Sequence, residues 1–196
     1  MSQNKSQGPS KGSRVSHQAK SAFDFIIEQA IRSSMLGDGA SASHIEKLSD
    51  GGQVKNRQMV ILTVSSYLFR AMMFLHFNAK DPATRAHFAA LKGQSELDDA
   101  TFLDVVMETG NLACGALNRD LGGVYPHLGM STPSVLDHGS LEYIEALGAG
   151  HVAHWRVTTA SQAVFHVSLA VCEDGPLDFT VDQTQVEESS GELEFF

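Results

Sequence analysis

Cysteine is scarce in this chain. Its 196 residues contain two, Cys114 and Cys172, in apolar surroundings and without CxxC spacing. That argues against a disulfide scaffold or a zinc site and reads as a pair of buried thiols. Basic residues are also short: 14 Lys plus Arg stand against 23 Asp plus Glu, for a net charge of -9. Nucleic acid and anionic membrane surfaces are therefore poor partners, and a protein with basic patches is a better one. No apolar run approaches the roughly 20 residues of a membrane span, and the opening MSQNKSQGPSKGSRVSHQAK lacks the apolar segment of a secretory signal. A cytoplasmic protein is expected. Ser65 and Ser66 lack a Gly-x-Ser-x-Gly elbow, and no phosphate-cradling glycine loop occurs. Among the histidines, His151 and His154 form the closest pair in HVAH. Three apart on a strand they face opposite sides and cannot easily share an ion, so no metal site is expected. His76, His87 and His166 read as ordinary core-edge or surface residues.

The length suits one domain with loose ends. Residues 1–18 are rich in Ser, Gln, Lys and Gly and are expected to be disordered, residues 19–175 to form the folded domain, and residues 176–196 to be an acidic tail. From Ser21, apolar residues Phe23, Phe25, Ile26, Ile27, Ala30, Ile31 and Met35 recur at helical spacing until Gly37. The stretch 37–56 reads as a Gly and Ser rich connection with a short turn of helix around Ile45. Between 57 and 79, QMVILTVSSYLF and RAMMFLHFNA suit two paired strands. Position 70 falls either at their turn or within a strand, and Met59, Met72 and Met73 fill core. Asp81 as a cap, Pro82 at the first helical position and Gly93 as a terminator bound a short helix. A long helix follows through SELDDATFLDVVMETGNLACGALNRDLGG, opened by acids and closed by Gly122 and Gly123. HLGMSTPSVLDHG is extended, with Pro133 at a strand edge, and two strands flank a turn near Thr159 to Gln162. The order gives an α+β fold, a largely antiparallel sheet covered by long helices.

The long helix carries an anomaly. Gly110, Asn111 and Gly115 interrupt a regular amphipathic run, and each glycine costs about 0.8 to 1 kcal/mol relative to Ala. At 100 degrees per residue, Asp104, Glu108, Asn111, Gly115 and Asn118 share one narrow stripe. Phe102, Val105, Val106, Leu112, Ala113, Ala116 and Leu117 fall on the other side. The stripe contains no Lys or Arg, the residues with which a solvated face usually balances its acids. Gly115 leaves a shallow place beside Asn111 where another backbone can approach, while Gly110 points to the packed side. By pattern alone, Glu and Asn so spaced are most often ordinary solvent-facing residues.

ETGNLACG, residues 108 to 115, resembles the signature of the CheC/CheX/FliY phosphatase family: Glu, two residues, then Asn, commonly with Gly just before the Asn. The wider family pattern has an Asp or Ser four residues before the Glu and a Pro some twenty residues beyond the Asn, places that Asp104 and Pro133 occupy. The resemblance covers roughly residues 20 to 173. It implies a CheC-like fold and an enzyme that removes phosphate from the aspartyl phosphate of a phosphorylated CheY-type receiver in chemotaxis or related two-component signalling. Glu108 and Asn111 would be the catalytic pair, Asn111 orienting a water and Glu108 holding a receiver Lys. Asp104, Gly115 and Asn118 would bind the partner. The chain would need no cofactor of its own, because the Mg²⁺ belongs to the receiver. CheC and FliY carry two signatures, but the first helix offers DFIIEQAI, with Ile31 where an Asn would follow Glu28. One site per chain is more similar to CheX, whose members form homodimers. The other reading is a non-catalytic adaptor that binds a receiver, or a flagellar or signalling partner, through the same helix.

Overall fold

The computed structural model describes residues 14–54, 56, 58–137 and 147–183. Readings for 1–13 and 184–196 lie outside the described residues. Among the described residues three α-helices, α1 (His17–Met35), α2 (Pro82–Leu91) and α3 (Asp99–Gly122), accompany seven strands, with short 3-10 turns at Gly37–Ala42 and Gly51–Gln53. These are β1 (His44–Lys47), β2 (Gln58–Ser65), β3 (Phe69–Phe77), β4 (Gly129–Met130), β5 (Ser134–Asp137), β6 (His151–Thr158) and β7 (Val164–Glu173). They form one sheet in the order β1-β6-β7-β3-β2, with β4 and β5 both pairing along the outer side of β2. Every pairing of named strands is antiparallel. The architecture is the α+β one read from the sequence.

Alternation sorts the side chains. Phe69, Ala71, Met73, Leu75 and Phe77 of β3 join Val60, Leu62 and Val64 of β2 and the odd-numbered apolar residues of β6 and β7 in one core with all three helices. Phe23 of α1 meets Phe69 edge-on at 5.7 Å, and Phe102 of α3 lies 5.8 Å from Phe88 of α2. The opposite face, odd-numbered on β2 and even-numbered on β3 and β7, has a smaller apolar cluster around Met59, Phe74 and Ala170.

Arg70 lies within β3, paired with Ser65. The turn falls at Ser66 to Leu68, where Ser66 Oγ accepts from Leu68 N at 3.0 Å. Asp81 caps α2, accepting from Thr84 N at 2.8 Å, with Pro82 in its first turn and Gly93 beyond its end at φ +68°. Two expectations change. Ile45 belongs to β1 rather than to a turn of helix: its partner is Val157, and it packs on the core while His44 and Glu46 on either side stay exposed. The margins of the domain also lie farther out. Ser16 caps α1 by accepting from Ala19 N at 3.0 Å, Val15 bridges Leu177 in parallel, and Leu177 and Phe179 are buried. Val15, Leu177 and Phe179 are isolated apolar residues whose partners lie far along the chain, so no local period announces them.

Candidate functional site

The helix that carries the stripe is secured at both ends. Asp98 caps α3, accepting from Thr101 N at 2.7 Å. Arg85 of α2 holds Asp99 in the first turn at 3.0 Å. At the far end Gly123 N donates to Asp120 O. Phe102, Val105, Val106, Ala113, Ala116, Leu117 and Leu121 are buried on one side. Burying a large apolar side chain returns about 1.5 to 3 kcal/mol, so two such residues outweigh the helix cost of two glycines.

The glycines differ in what surrounds them. A Cβ on Gly110 would stand 3.1 Å from Leu62 Cδ1 and 3.6 Å from Val60 Cγ1, so its missing side chain lets α3 settle against β2. A Cβ on Gly115 would have nothing within 4 Å. The first glycine serves packing, and the second leaves an open notch on the outer face.

Asp104 and Glu108 are exposed, while Asn111, Gly115 and Asn118 are half-buried. Glu108 and Asn111 stand one turn apart, with Cβ atoms roughly 5 to 6 Å from each other by helix geometry. Among the described residues no hydrogen bond or ion pair engages either side chain, so carboxylate and carboxamide are both available to a visitor. Asn118 differs: its Oδ1 is sealed from solvent and has no hydrogen-bond partner among the described residues. Pro133 immediately precedes β5 and is half-buried.

Leu112 does not join the packed side as its apolar character suggested. It is 55% exposed. Helical spacing sets it beside Glu108 and Gly115, at the margin of the buried arc.

The first helix has acids too, but they are committed internally. Trp155 Nε1 donates to Glu28 Oε1 at 2.9 Å, and Asp24 accepts from His151 Nε2 at 2.8 Å and from Lys47 Nζ. Burial raises the Asp24 carboxyl, but hydrogen bonds and charge from His151 and Lys47 outweigh it and the net direction is down. Ile31, where a second Asn would stand, is fully buried.

His151 and His154 do face opposite sides of β6: His151 meets α1, and His154 Nδ1 lies 2.7 Å from Ser168 Oγ on the other face. His76, His87 and His166, expected at the core edge or surface, are buried. His76 Nε2 also lies 2.8 Å from Ser168 Oγ, His166 Nδ1 meets Asn56 Oδ1, and His87 Nε2 donates to Met35 O at 2.8 Å. For His76 and His166 the even numbers on β3 and β7 were the available signal, since these set them with His154 of β6 and Ser168 on the face away from the helices. Burial, helped by Arg156 and His154, pulls His166 down to about 4, and burial pushes the Cys114 thiol up to about 12. Cys114 is therefore no nucleophile at neutral pH. Among the described residues no three His, Cys, Asp or Glu side chains are grouped to hold a metal ion. None of the described helices is long and apolar enough to cross a membrane.

Compared as sequences, the chain matches no protein-family model and no curated protein. Compared as folds, it is similar to the CheX of Borrelia burgdorferi solved as a CheX-CheY-BeF3-Mg complex, with a TM-score of 0.55 over 77% of this chain and 96% of that one at 14% identity. The fold is that of CheX and CheC-like proteins. CheX of Vibrio vulnificus matches with a TM-score of 0.51 over 76% of this chain and 96% of its own, at 12% identity. A CheC-like chemotaxis protein of Shewanella oneidensis MR-1 matches with 0.52 over 77% and 95%, at 13% identity. At such identities the likeness to CheX is one of shape.

Proposed function

We propose that this chain is a CheX-like aspartyl-phosphate phosphatase of a CheY-type response-regulator receiver, acting in the cytoplasm. The observation that supports this best is the pair Glu108 and Asn111: outward on a helix whose other side is buried, one turn apart, and without partners of their own among the described residues. The CheX fold adds weight, because a CheX of that fold was solved in complex with CheY, BeF3 and Mg.

In this reading Glu108 holds a Lys of the receiver, and the Asn111 carboxamide enters the receiver's active site and orients a water in line with the aspartyl phosphate. An amide suits the task because it donates to and accepts from one water. The water oxygen bonds to phosphorus as the bond to the aspartyl oxygen breaks, and phosphate leaves with the receiver carboxylate restored. Such a transfer depends on positioning and charge stabilisation rather than on a nucleophile from this chain. The receiver supplies the Mg²⁺. Asn does not titrate, so this chain's part in the step has no acid or base of its own. Asp104, Gly115 and Asn118 form the surrounding partner surface. The proposal includes a CheX-like homodimer. Among the described residues no strand pairs with the outer edge of β1, which lies at the opposite end of the sheet from β4, so pairing there leaves α3 open.

The test is phosphate release from each phosphorylated receiver of the source organism, with and without this protein. Acceleration of at least one supports the proposal. Binding without acceleration replaces it with the receiver-binding adaptor.

A further inference from the structure

We infer that Leu112 and the notch at Gly115 form an apolar knob and socket that fixes how the receiver sits on α3, an inference that rests on the function proposed above. A single exposed Leu says little by itself. Two features set this one apart. Leu117 and Leu121 on the same helix are fully buried, whereas Leu112 is 55% exposed. Its neighbours one turn away on the outer side are Glu108 and Gly115, and a Cβ at Gly115 would meet nothing within 4 Å. An exposed apolar projection and an open hollow thus lie side by side, next to the carboxylate and carboxamide.

The occupant is the receiver rather than a second copy of this chain. On the outer stripe beside Leu112, α3 carries exposed Asp104 and Glu108, while its one cation, Arg119, stands two turns farther along next to Asp120. Two such faces brought together would oppose like charges, while a partner with a Lys beside an apolar residue complements both halves of the surface. Leu112 touches no reacting atom in this scheme. It is a positioning residue, and one apolar side chain of the receiver packs against it over Gly115 while Lys meets Glu108.

The experiment titrates the intact protein, Leu112→Asp and Leu112→Met with a BeF3-activated receiver, measures steady-state dephosphorylation with the phosphorylated form, and determines solution mass. Leu112→Asp is expected to weaken binding and raise KM about tenfold, as loss of a central apolar anchor does. The change in kcat should be much smaller, and Leu112→Met should restore binding. Because Leu112 is exposed, circular dichroism of Leu112→Asp should match that of the parent. Equal KM for parent and Leu112→Asp, with the parent active, overturns the knob while leaving the phosphatase reading intact. A fall in solution mass on Leu112→Asp makes the patch a self-association surface and also overturns it. Failure of the parent to bind any receiver overturns both.

Discussion

Trp155 and Glu28 are joined by a 2.9 Å hydrogen bond from the indole nitrogen to the carboxylate, which ties the first helix to the buried centre of β6. The bond gives Glu28 an internal role, whereas Glu108 on the third helix has none. Removing Glu28 leaves a buried indole donor unpaired, at a cost of about 1 to 3 kcal/mol. Glu28→Ala should therefore lower the urea midpoint and leave KM for a phosphorylated receiver unchanged. Glu108→Ala should do the reverse, raising KM with a stability change within about 0.5 kcal/mol, as at other exposed sites.

The two helix glycines should separate in the same way. Gly115→Ala gains helix propensity at an open position and should stabilise the fold by about 0.8 to 1 kcal/mol. Gly110→Ala gains the same propensity but presses on Leu62 from 3.1 Å, and should be the less stable of the two in urea denaturation. A filled notch should also weaken receiver binding in Gly115→Ala.

Asn118 has its Oδ1 sealed without a partner among the described residues. Asn118→Leu, which keeps the branched outline of the side chain, removes that unsatisfied acceptor and should raise stability by about 1 kcal/mol. If the residue also serves the partner surface, as proposed, the gain should come with weaker receiver binding, seen by titrating the same preparation.

The buried His166 sets a pH dependence. Its folded value lies near 4 against an ordinary 6.5, so on acidification the unfolded chain takes up the proton first. The stability it contributes is complete above pH 6.5 and falls as pH drops toward 4. Denaturant midpoints between pH 7 and 4.5 should decline more steeply for the parent than for His166→Asn. Parallel declines would assign the acid sensitivity to other groups.

Much of this fold was legible because its elements are strongly periodic or well punctuated. Asp81, Pro82 and Gly93 bound α2, and alternation through β6 and β7 placed His151 and His154 on opposite faces. The packing role of Gly110 followed from its position on the helix wheel. What escaped depended on distant partners. Ile45 became a strand residue only because Val157 lies alongside, Val15 and Phe179 entered the core through contacts across the chain, and His76, His87 and His166 meet partners 92, 52 and 110 residues away. Leu112 is apolar in type but outer-facing in angle: its spacing from Glu108 and Gly115 sets it at the edge of the outer face, where it is exposed.

The central claim is that Asn111 positions the attacking water. It is tested most directly by comparing the parent with Asn111→Ala, each at saturating concentration on one phosphorylated receiver, after titration with the BeF3-activated form has established that both bind. The account predicts retained binding and a dephosphorylation rate reduced to the receiver's own. A bound Asn111→Ala variant that still speeds phosphate release as the parent does would contradict it.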